Sequence, residues 1–240
     1  MANRFKDRTD AGRQLAALVG HLRGLNTIVL ALPRGGLPVA YEVAHVLEAP
    51  LDILNIRKLG VPWHEELAMG AIGTGDVRVL NNDVIMAAGV TTRMLEEATN
   101  QQRLELDRRE RLYRSGKPAP ELRGRTVIIV DDGIATGATV RAAISVVRAQ
   151  HPARIVLAVA VAQASVAAEL TREVDEFVCA MTPGDLYAIG VWYDHFPQLS
   201  DDDVRTILAR AAAEPAAALV ATPRRAGELD GEADQPPLNS

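Results

Sequence analysis

The sequence predicts an α/β protein with a doubly wound, mostly parallel β-sheet. Short runs in which nearly every residue is apolar recur along the chain, at 26–32, 51–56, 126–130, 154–162 and 176–181. Patterns with helical periodicity separate most of these runs, at 36–48, 137–150 and 164–173. Fully apolar runs suit strands that are buried on both faces, and their alternation with helices is typical of a parallel sheet. Ligands bind beyond the carboxyl ends of the strands in such sheets, so the residues after each run are the first candidates for a site.

The segments outside this alternation predict four further elements. Apolar residues in 7–22 recur at spacings of three and four, which predicts an amphipathic first helix. Segment 60–82 holds several glycines and a short alternating stretch, and predicts a long loop that can include a β-ribbon rather than a core element. Segment 92–114 predicts a charged, solvated helix, because opposite charges recur four residues apart. The acidic stretch 200–204 predicts the start of a last helix, with Ser200 as its N-cap.

Composition limits the extent of the domain and its partners. The chain has 240 residues, and from 214 onward it is rich in Ala, Pro, Glu, Asp and Gly with few large apolar residues. This predicts one domain over 1–213 and a disordered tail over 214–240. The single cysteine, Cys179, excludes an intrachain disulfide framework. No segment resembles a signal peptide or a membrane span, so we expect a cytoplasmic protein, and the net charge of −5 indicates no broad electrostatic footprint for nucleic acid.

Cationic residues follow the first two predicted strands. Arg34 precedes Gly35 and Gly36 directly after the first strand, where bare backbone and the start of a helix favour an anion. Arg57 and Lys58 come where the second strand ends, and parallel strands bring such ends to one edge of the sheet. Each feature alone also fits an ordinary turn or a pair of solvated cations. Their shared position at one edge predicts an anion site there.

The stretch VIIVDDGIATGAT, at 127–139, carries the most specific signal in the chain. An apolar strand runs into two carboxylates, those of Asp131 and Asp132. The turn that follows offers glycines, consecutive backbone N–H groups and two hydroxyls; its residues are Gly133, Ile134, Ala135, Thr136, Gly137, Ala138 and Thr139. Backbone amides at the start of a helix form a cradle for phosphate. The carboxylates instead suit vicinal hydroxyls, a Mg²⁺ ion or both, which predicts a sugar phosphate as the ligand.

This stretch resembles the phosphoribosyl pyrophosphate (PRPP) binding motif of the type I phosphoribosyltransferases, in which an apolar strand and two acidic residues precede a T-G-x-T turn. The order of motifs over roughly 5–210 is similar to that of the family, and segments 5–16 and 191–204 resemble a poorly characterised bacterial subgroup. The resemblance implies the type I phosphoribosyltransferase fold, with a flexible flap over 60–82 and a small C-terminal hood over 182–199. It also implies an enzyme that transfers the 5-phosphoribosyl group from PRPP to a nitrogen acceptor, a nucleobase or related heterocycle, and releases pyrophosphate.

The resemblance implies a role for each matched residue. The two aspartates would hold the ribose hydroxyls and, through water, the Mg²⁺ cofactor. The turn 134–139 would hold the 5′-phosphate. The loop 34–36 would hold the pyrophosphate and is expected to contain a strained or cis peptide, while Lys58, together with Arg57, would reach the same group. Arg34, Lys58 and the two aspartates are therefore the catalytic candidates.

Two features bear on the acceptor. Family members that act on 6-oxopurines commonly carry an Asp where this chain has Ala135, which argues against hypoxanthine and guanine and leaves the general base unassigned. Segment 182–196 is rich in aromatic residues in a chain that is only 4% aromatic, and a flat apolar ring can stack a heterocycle. Trp192 and Tyr193 are the predicted stacking residues, and Asp185 is a predicted polar contact of the base.

The sequence leaves three functions open. The first is a Mg²⁺-dependent phosphoribosyltransferase. The second is a regulator that keeps the fold to sense PRPP or a nucleotide without turnover. The third is another phosphosugar reaction, such as phosphorolysis or phosphate transfer. Members of the family are usually dimers, so the resemblance also implies a homodimer.

Overall fold

The computed structural model describes residues 4–114 and 116–213, so the tail predicted over 214–240 lies outside the described residues. The strands are β1 (Thr27–Ala31), β2 (Leu51–Ile53), β3 (Ile56–Val61), β4 (His64–Gly73), β5 (Val77–Leu80), β6 (Thr126–Asp131), β7 (Arg154–Val161) and β8 (Glu176–Met181). The α-helices are α1 (Arg8–Val19), α2 (Gly36–Leu47), α3 (Asn82–Ala87), α4 (Thr92–Arg114), α5 (Ala138–Arg148), α6 (Ala164–Leu170) and α7 (Asp201–Ala213).

A five-stranded parallel sheet, in the order β2-β1-β6-β7-β8, forms the centre of the fold. Each of the five predicted apolar runs contributes a strand to it, which confirms the predicted fold class. The central pair, β1 and β6, is in register from Thr27 opposite Thr126 to Ala31 opposite Val130. Because the two strands are parallel and end together, the turns that follow them meet at the same edge of the sheet.

The inner strands β1, β6 and β7 are almost entirely buried on both faces, whereas the edge strands β2 and β8 are largely half-buried. Successive side chains of a strand point to opposite sides and so enter different cores. In β6, Val127 and Ile129 pack into a core with α5 and α6, while Ile128 and Val130 pack into a second core with α1 and α2. All four side chains are fully buried. Burial stabilises the fold by about 1.5–3 kcal/mol for each such side chain, which explains why the run is apolar at every position.

The segment 60–82 contributes to the core, contrary to the sequence-based prediction. Strands β3, β4 and β5 form a separate antiparallel sheet in that order, which we call the ribbon. Val61, Met69 and Ile72 of the ribbon are buried against α4. The prediction that this segment is not a core element is wrong, because Gly60, Gly70 and Gly73 lie within strands and only Gly75 of its described glycines lies in a turn. Gly60 lies at a register shift between β3 and β4.

Helix α4 has the predicted bounds, but it is less solvated than its charge pattern suggests. Leu95 and Leu106 are buried against the ribbon. Arg114 is also buried, and its Nη1 lies 2.6 Å from Asp52 Oδ2 at the end of the parallel sheet. The helix therefore connects the two sheets. None of the helices in the described part of the chain combines the length and the apolarity needed to cross a membrane.

Candidate active site

A cavity of about 360 Å³ opens at the carboxyl ends of β1 and β6. The described residues that line it come from the turn after β1, the turn after β6, the start of α5 and the segment after β8: Leu32, Pro33, Gly35, Asp131, Asp132, Gly133, Ile134, Ala135, Thr136, Gly137, Ala138, Thr139, Val140 and Ile189. The structure thus brings the predicted phosphate turn, both aspartates and part of the predicted pyrophosphate loop around one space.

The turn after β1 lies directly against the two aspartates. A Cβ atom on Gly35 would lie 2.2 Å from Asp132 Oδ2, and one on Gly36 would lie 2.7 Å from the carbonyl oxygen of Val130. Both distances are far below van der Waals contact, so only glycine allows this approach. The Pro33–Arg34 peptide is cis, as the family resemblance implies.

The turn after β6 has the geometry of a phosphate cradle. Gly137 is the N-cap of α5 and has a φ of +77°, in the left-handed region that glycine adopts without strain. Ala138 and Thr139 lie in the first turn of α5, where backbone N–H groups have no acceptor within the helix and the helix dipole is positive. The side chains of Thr136 and Thr139 are exposed beside these amides. Residues with backbone and hydroxyl donors therefore line the same cavity.

One member of the predicted cradle is already used by the fold. The backbone N–H of Ile134 donates to the carbonyl of Val161 at 2.8 Å, and the Ile134 side chain is buried. The prediction that this amide binds phosphate is therefore wrong, and the cradle is confined to 135–139. Arg141 of α5 supports it from behind, since its Nη1 donates to the carbonyl of Thr136 at 3.1 Å.

The two aspartates are in different environments, although the sequence presents them as equivalent. Asp132 is buried, and its Oδ2 accepts a hydrogen bond of 2.7 Å from Nε of Arg8 in α1. Asp131 is half-buried at the cavity, and its Oδ1 accepts a hydrogen bond of 2.9 Å from the backbone N–H of Asp132. Burial and the neighbouring Asp132 carboxylate raise the pKa of Asp131 well above its usual range. Arg8 was not among the predicted site residues.

Tyr193, predicted to stack on the acceptor, is instead a core residue. Its side chain is only 4% exposed, and its ring packs 5.3 Å from Phe5 and 4.8 Å from Phe196, measured between ring centroids. Its hydroxyl donates to the backbone carbonyl of Asp132 at 2.6 Å. The stacking prediction for Tyr193 is wrong because the ring presents no open face. Through this hydrogen bond, Tyr193 holds the backbone at Asp132.

The other predicted base contacts lie outside the cavity. Trp192 is half-buried and Asp185 is exposed, and neither lines the cavity among the described residues. Ile189 is the hood residue that does so, and a Cβ on Gly133 would lie 2.5 Å from its Cγ2 atom. Sequence reasoning missed Ile189 because an aliphatic residue in an irregular segment carries no chemical signature.

Arg34 belongs to the turn after β1, but its guanidinium does not line the cavity. Its Nη1 lies 3.7 Å from Oδ1 of Asp201, the first residue of α7. Asp201 also accepts a hydrogen bond from the Tyr113 hydroxyl, and its Oδ2 lies 3.8 Å from Nη1 of Arg108. Burial, together with the bond to Asp201, raises the pKa of Tyr113 to about 12.

Helix α7 begins as predicted. The backbone N–H of Asp203 donates to Ser200 Oγ at 3.1 Å, and the backbone N–H of Ser200 donates to Asp203 Oδ2 at 2.8 Å, which is a reciprocal capping box. The same acidic stretch has a second role through Asp201. This role has no local sequence signal, because Arg34 is far away along the chain.

Arg57 and Lys58 are neighbours on β3, so their side chains point to opposite faces of the ribbon. Arg57 faces α4, where its Nε donates to Gln102 Oε1 at 2.9 Å. Lys58 lies on the opposite face and is half-buried. Neither residue lines the cavity among the described residues. The structure therefore does not bring the predicted pair together at the site.

The residues around the cavity fit a magnesium ion that arrives with a phosphorylated ligand. In the described ranges, no group of three or more His, Cys, Asp or Glu side chains is placed to hold a metal by itself. Mg²⁺ in sites for phosphorylated substrates is commonly bound by one or two carboxylates, substrate phosphates and water. The cavity offers Asp131 for that purpose, while Asp132 Oδ2 is engaged by Arg8.

An amide turn at a helix start, a carboxylate pair and a close Gly-Gly turn at one edge of a parallel sheet are typical of α/β proteins that bind phosphorylated ligands. The family model described as "Phosphoribosyl transferase domain" matches residues 6–180, and the chain belongs to this family.

Solved and curated relatives are similar over most of the chain. Two proteins of Mycobacterium tuberculosis, from strains CDC 1551 / Oshkosh and H37Rv and each named "Putative phosphoribosyl transferase", are 46% identical over 232 residues. The match covers 97% of this chain and 51% of each relative, so the chain spans about half the length of these curated relatives. The crystal structure of the protein TT1426 from Thermus thermophilus has a TM-score of 0.80 at 40% identity, over 86% of this chain and 98% of that one.

Proposed function

We propose that this protein transfers the 5-phosphoribosyl group from PRPP to a nitrogen acceptor, a nucleobase or related heterocycle, and releases pyrophosphate. The observation that carries the proposal is the cavity in which Asp131, the cradle 135–139 and the turn after β1 meet. A ribose 5-phosphate matches this arrangement, because hydroxyls suit a carboxylate and a phosphate suits the amides at a helix start.

The proposed roles follow from the chemistry of the groups present. The cradle 135–139 binds the 5′-phosphate and fixes the sugar, and Asp131 accepts hydrogen bonds from its hydroxyls. The acceptor nitrogen forms a bond to C1 of the ribose as the bond from C1 to the pyrophosphate oxygen breaks, and positive charge develops on the sugar. Asp131 would hold Mg²⁺ together with PRPP, and the ion would supply positive charge to neutralise the departing pyrophosphate. Arg34 and Lys58 are the proposed cations of this chain for the same charge, and both would have to move to reach it, since neither lines the cavity.

The ribbon is the proposed flap over this site. It packs directly on α5 near Gly73, where a Cβ would lie 2.7 Å from Val146 Cγ1, but a cavity of about 720 Å³ lies between the two elements closer to the start of α5. Gly70 and Val79 of the ribbon and Ala142 of α5 line this cavity, which shares Ala138 with the active-site cavity, so a shift of the ribbon toward the start of α5 would narrow the space beside the site. Exclusion of water matters in the proposed reaction, because water would compete with the acceptor for the ribose cation.

The acceptor is proposed to lie against Ile189, the hood residue that lines the cavity. Ala135 adjoins the same space and offers no carboxylate to the ring of an acceptor. Trp192 and Asp185 would contact the acceptor only if the hood shifted when a ligand binds. A homodimer in the cytoplasm also belongs to the proposal, and light scattering after size-exclusion chromatography tests the dimer.

The experiment that tests the function measures pyrophosphate release from PRPP with Mg²⁺ and a panel of nucleobases and related heterocycles. The Asp131→Asn/Asp132→Asn double variant is the matched control, because its side chains are nearly isosteric. We expect release that depends on one class of acceptor and that is lost in the control. Tight PRPP binding without release for any acceptor would contradict turnover.

That last outcome would favour the second candidate, a regulator that senses PRPP or a nucleotide. The contact between Arg34 and Asp201 favours it, because the guanidinium lies outside the cavity while they are paired. A sensor needs a ligand-dependent structural change rather than turnover. Hydrogen exchange of α7 with and without PRPP distinguishes a ligand-sensitive helix from a static one.

A further inference from the structure

The N-terminal segment and the hood, from opposite ends of the domain, pair with each other beneath the active site. The backbone N–H of Phe5 donates to the carbonyl of Trp192 at 2.9 Å. The backbone N–H of Asp194 donates to the carbonyl of Phe5, and that of His195 donates to the carbonyl of Lys6, both at 2.9 Å. These segments are the two that resemble the bacterial subgroup, and the reaction described above does not use them.

Arg8 lies where this pair meets the turn after β6. Its Nε donates to Asp132 Oδ2 at 2.7 Å, and its Nη1 donates to the carbonyl of Pro197 at 2.8 Å. Its Cζ lies 3.7 Å from the centre of the Phe196 ring, which is a cation–π contact. The Arg8 and Asp132 side chains are 9% and 10% exposed. One guanidinium thus connects α1, the hood and an acidic residue of the site.

Asp132 lines the cavity and is also held by three neighbouring residues. Arg8 binds its carboxylate, the Tyr193 hydroxyl binds its carbonyl, and Gly35 lies against its Oδ2. Asp131, the adjacent carboxylate, has the cavity beside it and a backbone N–H as hydrogen-bond donor. Both acidic residues line the cavity, but the carboxylate of Asp132 is paired with a cation, whereas the described donor to Asp131 is a backbone N–H.

We propose that Arg8 is a positioning residue for PRPP binding. Arg8 acts through Asp132, because its hydrogen bond to that carboxylate fixes the turn that begins at Asp131 and contains the phosphate cradle. A buried carboxylate without its cation would be an uncompensated charge, so the Asp132 side chain would move and the turn attached to it would move as well. Arginine suits the role because its planar fork serves Asp132 and Pro197 while it stacks on Phe196. The identity of the ligand rests on the proposed function, whereas the positioning of the turn does not.

Calorimetric titration of PRPP with Mg²⁺ into the full chain tests the proposal, with each variant shown by circular dichroism to be fully folded. Residues that orient a binding group typically change affinity by about 10- to 100-fold when removed, so we expect that loss for Arg8→Met. Arg8→Lys, which keeps the charge, should recover part of it. Arg13→Met is the matched control, since Arg13 of α1 pairs with Glu42 at 3.2 Å but is 69% exposed. Equal affinity in Arg8→Met and the wild-type protein would overturn the proposal.

A double-mutant cycle separates positioning from a general loss of stability. If Arg8 acts through Asp132, Arg8→Met should have no further effect on PRPP affinity in an Asp132→Asn background. The same fold loss in both backgrounds would refute the link to Asp132. Asp132→Asn is itself expected to weaken PRPP binding. The four proteins of the cycle are therefore also compared by hydrogen exchange of the backbone amides of 133–139 in the absence of ligand.

The exchange measurement also separates this proposal from the proposed function. We expect faster exchange over 133–139 in Arg8→Met than in the wild-type protein or Arg13→Met, and no additional increase when Asp132 is already Asn. If the wild-type protein failed to bind PRPP, the proposed function would be refuted, but exchange of these amides would still show whether Arg8 fixes the turn. Unchanged exchange in Arg8→Met would overturn the positioning role whether or not PRPP binds.

Discussion

Arg34 and Asp201 form an ion pair across the active-site edge, with Nη1 of the arginine 3.7 Å from Oδ1 of the aspartate. Arg34 belongs to the turn that faces the carboxylates, and Asp201 is the first residue of α7. The Asp201 carboxylate lies beside the Arg34 guanidinium, on a side from which an anionic group of a ligand would approach it. In the proposed function, Asp201 would therefore compete with the pyrophosphate of PRPP for Arg34.

Asp201→Asn should strengthen PRPP binding, because it frees Arg34 from a negatively charged partner. Both side chains are about one-third exposed, and ion pairs of this kind contribute about 0–1 kcal/mol, so affinity should rise by at most about fivefold. Calorimetry measures the change. The control is Asp202→Asn, whose carboxylate is largely exposed and pairs with Arg205. Weaker binding in Asp201→Asn, or equal gains in both variants, would argue against competition.

Tyr113 provides a pH-dependent probe of the same contact. Burial and its bond to Asp201 raise its pKa to about 12 in the folded protein, above the ordinary value of 10.0. The folded state then holds the proton more tightly than the unfolded chain, so the associated stability is present below pH 10.0 and is lost as the pH rises toward about 12. The part of the tyrosinate absorbance that is missing in the Tyr113→Phe variant belongs to Tyr113, and its titration midpoint should lie near pH 12. Asp201→Asn should shift it downward, and an unshifted midpoint would contradict the bond.

Gly35→Ala should destabilise the fold and abolish PRPP binding, because the new Cβ would lie 2.2 Å from Asp132 Oδ2. Overpacking of this kind typically costs about 1–3 kcal/mol in the free energy of unfolding, which urea denaturation measures. Gly20→Ala, at the end of α1, is the control, since a Cβ there meets no atom within 4 Å. A Gly35→Ala protein with wild-type stability and PRPP affinity would show that this close approach is unnecessary.

Tyr193→Phe should lower the free energy of unfolding by about 1–3 kcal/mol, because it leaves the buried Asp132 carbonyl without its donor. Tyr187→Phe should have no effect, since that side chain is 94% exposed. Urea denaturation of both variants checks the difference. If Tyr193→Phe instead kept full stability and changed only the choice of acceptor, the ring would be a base contact after all.

Local signals in the sequence predicted the parallel sheet and the cradle. Fully apolar runs predict buried strands wherever they occur, and glycines, threonines and aspartates at one strand end identify a phosphate turn by residue type alone. The Arg8–Asp132 and Arg34–Asp201 contacts depend on which distant segments the fold brings together, so no local pattern indicates them. Tyr193 shows the same limit, because its ring could equally have faced a ligand or the core, and packing against Phe5 decides this.

Calorimetric titration of PRPP with Mg²⁺ into the wild-type protein and the Asp131→Asn variant tests most directly whether the cavity beside Asp131 is the PRPP site. Asn keeps the size of the side chain but removes the negative charge that favours both ribose hydroxyls and Mg²⁺. We predict saturable binding by the wild-type protein and an affinity at least about tenfold lower in the variant, the range typical for groups that hold a ligand or its metal. Equal affinity in the two proteins would contradict the assignment of this cavity.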